Sequence, residues 1–262
     1  MPDRTPDRDR PPRGHELFAQ HLAELKLTRI AETYREVLDE AARKNTPTLD
    51  ILAALIADEV TARRERALQR RIQQAKLPPR KTLEDYDFNF PKRIPKQKVL
   101  RLFDCEFVAR HECAVLVGPT GTGKSHLLTA LGYTACERNL SVHYTRVVDM
   151  LNTLTTAQIN GTLDRVMRMY VRPSLLLLDE LGYLPIDKRG ANLLFQVVAN
   201  RYESGAIVLT TNRPFRDWGK TFDTDKTPAT AMIDRLMHHG EALVIQGDSY
   251  RQKDKDKEAG SE

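Results

Sequence analysis

The sequence contains no run of about 18 apolar residues, so no membrane-spanning helix is expected. The N-terminal stretch MPDRTPDRDRPPRG is charged and Pro-rich and lacks the apolar core of a signal peptide, which points to the cytoplasm. Cysteine is scarce. Cys105, Cys113 and Cys136 cannot all pair and have no CxxC spacing, which argues against a disulfide framework and a zinc ribbon and leaves buried free thiols. No internal repeat is visible, and an excess of charge of one sign is nearly absent, since the net charge is only +5 over 262 residues. That balance permits nucleic acid as a partner without requiring it.

What is present divides into two parts between terminal stretches. Residues 1–14 and 252–262 show no periodic apolar pattern and read as disordered tails. Residues 15–77 read as a small all-helical domain. Leu17, Phe18, Leu22 and Leu25 recur at helical spacing, and so do Ile30, Tyr34, Val37, Leu38 and Ala41 after a candidate cap at Thr28. Pro47 interrupts, and Leu49, Leu52, Leu55, Ile56 and Val60 begin a third amphipathic stretch that Pro78 and Pro79 end. Beyond Ala62 that stretch turns basic: Arg63, Arg64, Arg66, Arg70, Arg71, Lys76, Arg80 and Lys81 face one acid, Glu65. Such a run is either a solvated helix face or a phosphate-contacting one.

Residues 78–251 alternate short apolar runs with helical segments, as a parallel sheet with crossover helices does. The candidate strands are 113–118, 141–145, 174–179, 206–211 and 241–246. Unbroken apolarity over 175–178 predicts a strand covered on both faces. The fold class is therefore α/β, a five-stranded parallel sheet preceded by the helical domain.

The strongest chemical signal is GPTGTGKS, Gly118–Ser125, placed after an apolar strand and before a helical segment. Gly118, Gly121 and Gly123 permit backbone angles and close approach that a side chain would block. Successive N–H groups of Gly118, Pro119, Thr120, Gly121, Thr122 and Gly123, proline excepted, form a nest for phosphate at a helix start. Lys124 supplies a positive charge to the β and γ oxygens, and the Ser125 hydroxyl is a ligand for Mg²⁺. In LLLLDE, residues 175–180, Asp179 at a strand end is the second candidate for Mg²⁺, and Glu180 is suited to polarise an attacking water. That second acid distinguishes an ATPase from a small-molecule kinase, which has no need of it. In LTTNRP, residues 209–214, Asn212 either senses the γ-phosphate or forms a plain turn. In MIDRLMHH, residues 232–239, Arg235 either serves a neighbour's ATP as an arginine finger or pairs with Asp234 at the surface. His238 and His239 point different ways if both lie on a helix, and no third ligand is near in sequence, so no metal site is expected there. Arg251, in SYR after the last strand, is a further candidate for the nucleotide. Tyr86 and Phe88 lie upstream, where they face the base or pack in the core.

With these elements in this order, the chain resembles AAA+ ATPases of the initiator and helicase-loader branch. More narrowly it resembles the IstB-like helper ATPases of insertion-sequence transposition. The resemblance rests on TLEDYDFNF, GPTGTGKSHL, LLLLDELGYLPID, NLLFQVVANRYE, TTNRPFRDW and MIDRLMHHGEALVIQGDSYR, and spans about residues 15–251. The DnaC-like helicase loaders share fewer of these elements and are the alternative. The resemblance implies an AAA+ fold and ATP with Mg²⁺. It implies Gly118–His126 as the nucleotide cradle, Ser125 and Asp179 at the metal, and Glu180, Lys124, Asn212 and Arg235 as catalytic. It implies double-stranded DNA, an IstA-type transposase and further copies of the chain as partners. DNA would meet the basic helix (Arg63, Arg64, Arg66, Arg70, Arg71, Lys76) or a second set, Arg146, Arg165, Arg168, Lys188 and Arg189. A helicase-loading adaptor and a nucleotide kinase are the rival classes. A helicase complex or phosphoryl transfer to a small acceptor would identify them.

Overall fold

The computed structural model describes residues 14–222 and 226–250, with the side chains at 220 and 226–228 left aside. The expected tail at 1–13, the stretch 252–262 and Arg251 lie outside the described residues. Gly14 opens the first helix. Contacts group the chain into Met1–Gln69 and Arg70–Glu262, a division that falls inside one helix and assigns residues 70–77 to the second unit.

The first unit is built from α1 (Gly14–Glu24), α2 (Thr28–Lys44) and the N-terminal part of α3 (Thr48–Ala75). Its core is small: Leu22, Ile30, Tyr34 and Leu55. Thr28 is not a cap but the first helical residue, preceded by Leu27, which makes no side-chain capping bond. The free N–H groups of the first turn are met from another helix. Glu59, 3% exposed, accepts from Arg29 N at 2.7 Å and Ile30 N at 3.1 Å. Burial alone would raise the Glu59 pKa, but these donors and Arg66 hold it below the usual carboxylate range.

The second unit holds α4 (Lys96–Leu102), α5 (Glu106–Ala109), β1 (Cys113–Val117), α6 (Lys124–Glu137), β2 (Val142–Arg146), α7 (Val147–Ile159), α8 (Leu163–Val171), β3 (Leu175–Leu181), α9 (Lys188–Arg201), β4 (Ala206–Thr211), α10 (Trp218–Thr221), α11 (Lys226–His238) and β5 (Gly240–Val244). The five strands form one sheet in the order β2-β3-β4-β1-β5, and every pairing is parallel. Each expected strand is present within a residue or two. Leu175–Leu178 are fully buried, as their unbroken apolarity requires of a strand with helices on both faces. Cys105 and Cys136 are buried and Cys113 half-buried, all three as free thiols.

The topology positions the chemistry. The chain leaves β1, forms α6 and crosses to β2, while β4 is inserted between β1 and β3. The ends of β3 and β4 therefore lie beside the loop that follows β1, at the carboxyl edge where parallel sheets bind ligands. At that edge β3 departs from regular pairing. Leu178 pairs with Leu209 and Leu181 with Thr211, so three steps on β3 match two on β4. The extra residue is a bulge, and Glu180 inside it has φ +66°. A regular strand points neighbouring side chains to opposite faces. The bulge re-aims Asp179 and Glu180, so both serve one site.

Candidate nucleotide site

The loop after β1 closes with Gly123 at φ +85°, directly before α6. A Cβ there would also lie 2.5 Å from the Tyr86 ring, so space as well as angle requires glycine. Tyr86 fixes the loop further by donating its hydroxyl to Thr122 O at 3.0 Å. From the other end of the domain, Tyr250 N donates to Gly121 O at 3.0 Å. Phe90 and Tyr250 meet edge to face, 4.8 Å between centroids. The segment before the sheet and the segment after it thus both grip the loop. Together they bound a cavity of about 310 Å³ whose lining includes Thr120–His126, Glu180, Asn212, Tyr86, Phe90 and Tyr250.

Lys124 lies in this cavity, 8% exposed, and donates to Pro119 O at 2.7 Å. Burial lowers its pKa to about 8 against the opposing pull of Asp179 and Glu180. Ser125 donates to Asp179 Oδ1 at 3.0 Å. Asp179 also accepts from Tyr144 at 2.9 Å on Oδ2, and from Thr210, whose hydroxyl in turn accepts the Glu180 N–H at 2.9 Å. Tyr144 and Thr210 are therefore part of the site, and sequence reasoning missed both. The alternation of a buried strand carries no mark of which polar side chain reaches across to its neighbour. Burial and then Asp179 raise the Tyr144 pKa, so it remains a hydrogen-bond donor at all ordinary pH.

The donor set fits a small hard cation. A hydroxyl and a carboxylate, both oxygen ligands, stand 3.0 Å apart beside a phosphate-type loop, as Mg²⁺ bound with phosphates requires. Asn212 Oδ1 is buried without a hydrogen-bond partner among the described residues, and the residue lines the same cavity. A buried polar atom left unpaired is costly, and a ligand that donates to it, or a water, removes that cost.

Other expected residues stand elsewhere. His126 joins the lining, yet its Nε2 is bonded to Thr82 O at 2.7 Å and its ring packs against Tyr86, which ties down the upstream segment. Arg235 is half-buried in the last turn of α11 and does not line the cavity. Its guanidinium lies 4.7 Å from the Phe195 ring centroid and donates to Ala231 O, and it makes no ion pair with Asp234 among the described residues. Within the first unit's part of the basic run, Arg66 is bound to Glu59 and Arg63 donates to Lys26 O, while Arg64 is exposed. In the second unit Arg71 donates to Cys136 O, while Arg70 and Lys76 are exposed. Arg146 forms two bonds with Asp149, and Arg189 donates to Gln158. Arg165, Arg168 and Lys188 are exposed.

A third ligand-type side chain, distant in sequence, stands beside His238 and His239. The helix ends at His238, so the two rings are not spread around it, and Glu203, 35 positions before His238, joins them.

Comparison with known proteins gives the family and the fold. The family described as IstB-like ATP binding protein matches residues 20–258. An ATP-binding protein of insertion sequence IS21 from Pseudomonas aeruginosa is 38% identical over 236 residues, 90% of this chain and 89% of that one. The ATP-binding protein of IS5376 from Geobacillus stearothermophilus is 34% identical over 240 residues, 92% and 95% of the two chains. Among solved structures, AMPPCP-bound DnaA from Aquifex aeolicus superposes with a TM-score of 0.55 at 24% identity, over 71% of this chain and 57% of that one. The DnaC helicase loader gives 0.52 at 18% identity, over 63% and 96%. These likenesses show a shared fold.

Proposed function

This chain belongs to the family of IstB-like ATP-binding proteins, and from that premise we propose that it is a DNA-binding ATPase serving a transposase, with ATP hydrolysis as its switch. One observation carries the chemical half of the reading: Asp179 is bonded to Ser125 while Glu180, its neighbour in the bulge, lines the Lys124 cavity. The two acids assigned to the metal and to the water are adjacent in the chain and serve one site in this reading.

In this reading Lys124 leaves Pro119 O and pairs with phosphate oxygens, which restores its full positive charge. Ser125 and Asp179 would hold Mg²⁺, which would neutralise phosphate charge. Tyr144 and Thr210 keep the Asp179 carboxylate aimed. Glu180 accepts one proton of the attacking water, whose other hydrogen is donated to the buried Asn212 Oδ1, while the Asn212 amide N–H donates to the γ-phosphate. Arg235, outside its own cavity, reaches the ATP of a neighbouring copy, so hydrolysis depends on assembly. Exposed Arg64, Arg70, Lys76, Arg165, Arg168 and Lys188 contact DNA phosphates without base readout. ATP binding builds an oligomer on duplex DNA, and hydrolysis releases it when an IstA-type transposase arrives. The names of the insertion-sequence relatives support this context.

ATPase rates with and without duplex DNA test the reading. Stimulation by duplex is expected, and Glu180→Gln should lower the rate about 100-fold or more while nucleotide still binds. A Glu180→Gln protein that hydrolyses ATP at the normal rate removes the assigned base. Equal amounts of Arg235→Ala and Glu180→Gln protein, mixed, should regain part of the activity, because some interfaces then carry both residues intact. Stable capture of a replicative helicase instead of a transposase would replace this reading with the loading-adaptor one.

A further inference from the structure

Far from the nucleotide loop, at the amino edge of the sheet, three ligand-type side chains converge that the ATPase reading does not use. Glu203 lies in the turn between α9 and β4, with φ +58°. His238 ends α11, and His239 joins it to β5. One potential ligand atom from each lies within 4.8 Å of the other two.

The local backbone explains why neighbours in sequence face one way. Were α11 to continue, the two rings would stand about 100° apart around it. It stops, because the chain turns at Gly240, where a Cβ would lie 2.1 Å from Leu236 O and 2.8 Å from Cys113 O. Only glycine admits so tight an exit from helix to strand. The imidazole centroids are consequently 4.1 Å apart. His239 Nε2 stands 3.7 Å from Glu203 Oε1. His238 Nδ1 is bonded to the Tyr202 hydroxyl at 2.7 Å. That bond engages one ring nitrogen and fixes the ring, as partners of metal-ligating histidines do elsewhere, and the same hydroxyl also hydrogen-bonds Glu203.

We propose that Glu203, His238 and His239 form a binding site for a divalent transition metal of the zinc class, with Tyr202 as the residue that orients His238. Two imidazoles and one carboxylate suit Zn²⁺, Co²⁺ or Ni²⁺ rather than Mg²⁺, which favours oxygen ligands throughout. Tetrahedral ligands at about 2.1 Å from a metal stand roughly 3.4 Å apart, so rotation of these exposed side chains closes the remaining gap. The bound ion links the α9–β4 turn to the end of α11, one turn from Arg235. The site is independent of the nucleotide assignment, since none of its residues lines that cavity.

The test is a Zn²⁺ titration of the full chain by calorimetry with Mg·ADP saturating, repeated with Co²⁺ to read its visible absorption. Wild type should take up one ion per chain with the intense bands of tetrahedral cobalt. Glu203→Gln, His238→Ala and His239→Ala should each weaken uptake about tenfold or more, and Tyr202→Phe about tenfold. These side chains are exposed or at the surface, and unchanged circular dichroism verifies folding. Stoichiometric uptake that survives in the triple variant overturns the proposal, as does wild-type affinity no tighter than that variant's. Loss with both histidine variants but not with Glu203→Gln overturns the three-ligand assignment.

Discussion

The carboxyl and amino edges of the same sheet handle buried polar groups in opposite ways. At the amino edge Arg201, 1% exposed, donates to five carbonyl oxygens, those of Tyr170, Val171, Pro173, Ser174 and Ala206, with only its Nε unpaired. It joins the end of α9 to α8 and to the starts of β3 and β4. Burial lowers its pKa to about 10, still far above neutrality, so it remains charged. At the carboxyl edge, charge is held in readiness instead. Lys124 makes a stopgap bond to its own loop, Asn212 Oδ1 has no partner among the described residues, and Glu180 occupies a left-handed backbone conformation. A buried ion whose donors are nearly all satisfied by its own chain reads as structure. Groups left short of partners around a cavity read as a place for a ligand.

Mutations can break this contrast, beginning where the effect is largest. Arg201→Met should destabilise the protein by about 3–5 kcal/mol, since five carbonyls lose a charged donor at once. Urea unfolding measures it, and a loss below about 1 kcal/mol would remove the structural half of the comparison. Lys124→Ala should leave stability unchanged or higher while ATP affinity falls about 100-fold, the worth of one strong charged bond of about 3 kcal/mol. Fluorescent-nucleotide binding reads this, and unfolding of the variant would show Lys124 to be structural as well. Tyr144→Phe should weaken Mg²⁺-dependent ATP binding about tenfold with little effect in EDTA, which separates aiming of Asp179 from packing.

A further effect is one of pH. The Lys124 pKa lies near 8 in the folded protein and at the ordinary 10.5 unfolded. Below pH 8 the lysine is charged in both states and its burial opposes folding in full. Between pH 8 and 10.5 the folded form loses the proton first, so the stability of the nucleotide-free protein should gain from this group as pH rises. ATP favours the charged lysine, so its affinity should fall over the same interval. Parallel melting and binding curves in Lys124→Ala isolate the contribution, which should vanish there.

The amino edge also holds the candidate zinc-class cluster, which sharpens the contrast in another way. Its side chains are exposed and can be satisfied by water, so they cost little without an ion. Asn212 depends instead on what enters its cavity, because its oxygen is buried.

How much was legible in the sequence followed from the range of the physics involved. GPTGTGKS, the apolar run ending in Asp179 and Glu180, and the spacing of five apolar segments are local patterns that fix loop, strand and helix by backbone geometry. The Thr28 cap failed because Glu59, on another helix, supplies the acceptors that a capping side chain would have given. Within the basic run, Arg66 is bound by Glu59 two turns earlier on the same helix, and Arg71 by Cys136 O, 65 positions away, a partner that composition does not show.

By itself the sequence determined the P-loop, the parallel α/β class and the carboxylate pair, since each depends on residues close together in the chain. Tertiary structure alone decided that a bulge would turn both acids to one site, and that Tyr144 and Thr210 would hold Asp179. It also decided that Arg201 would close the amino edge and that Glu203 would meet His238 and His239. Most of those contacts join residues about 30 positions apart, and which of them meet is set by strand order and helix termination, neither of which a local pattern encodes.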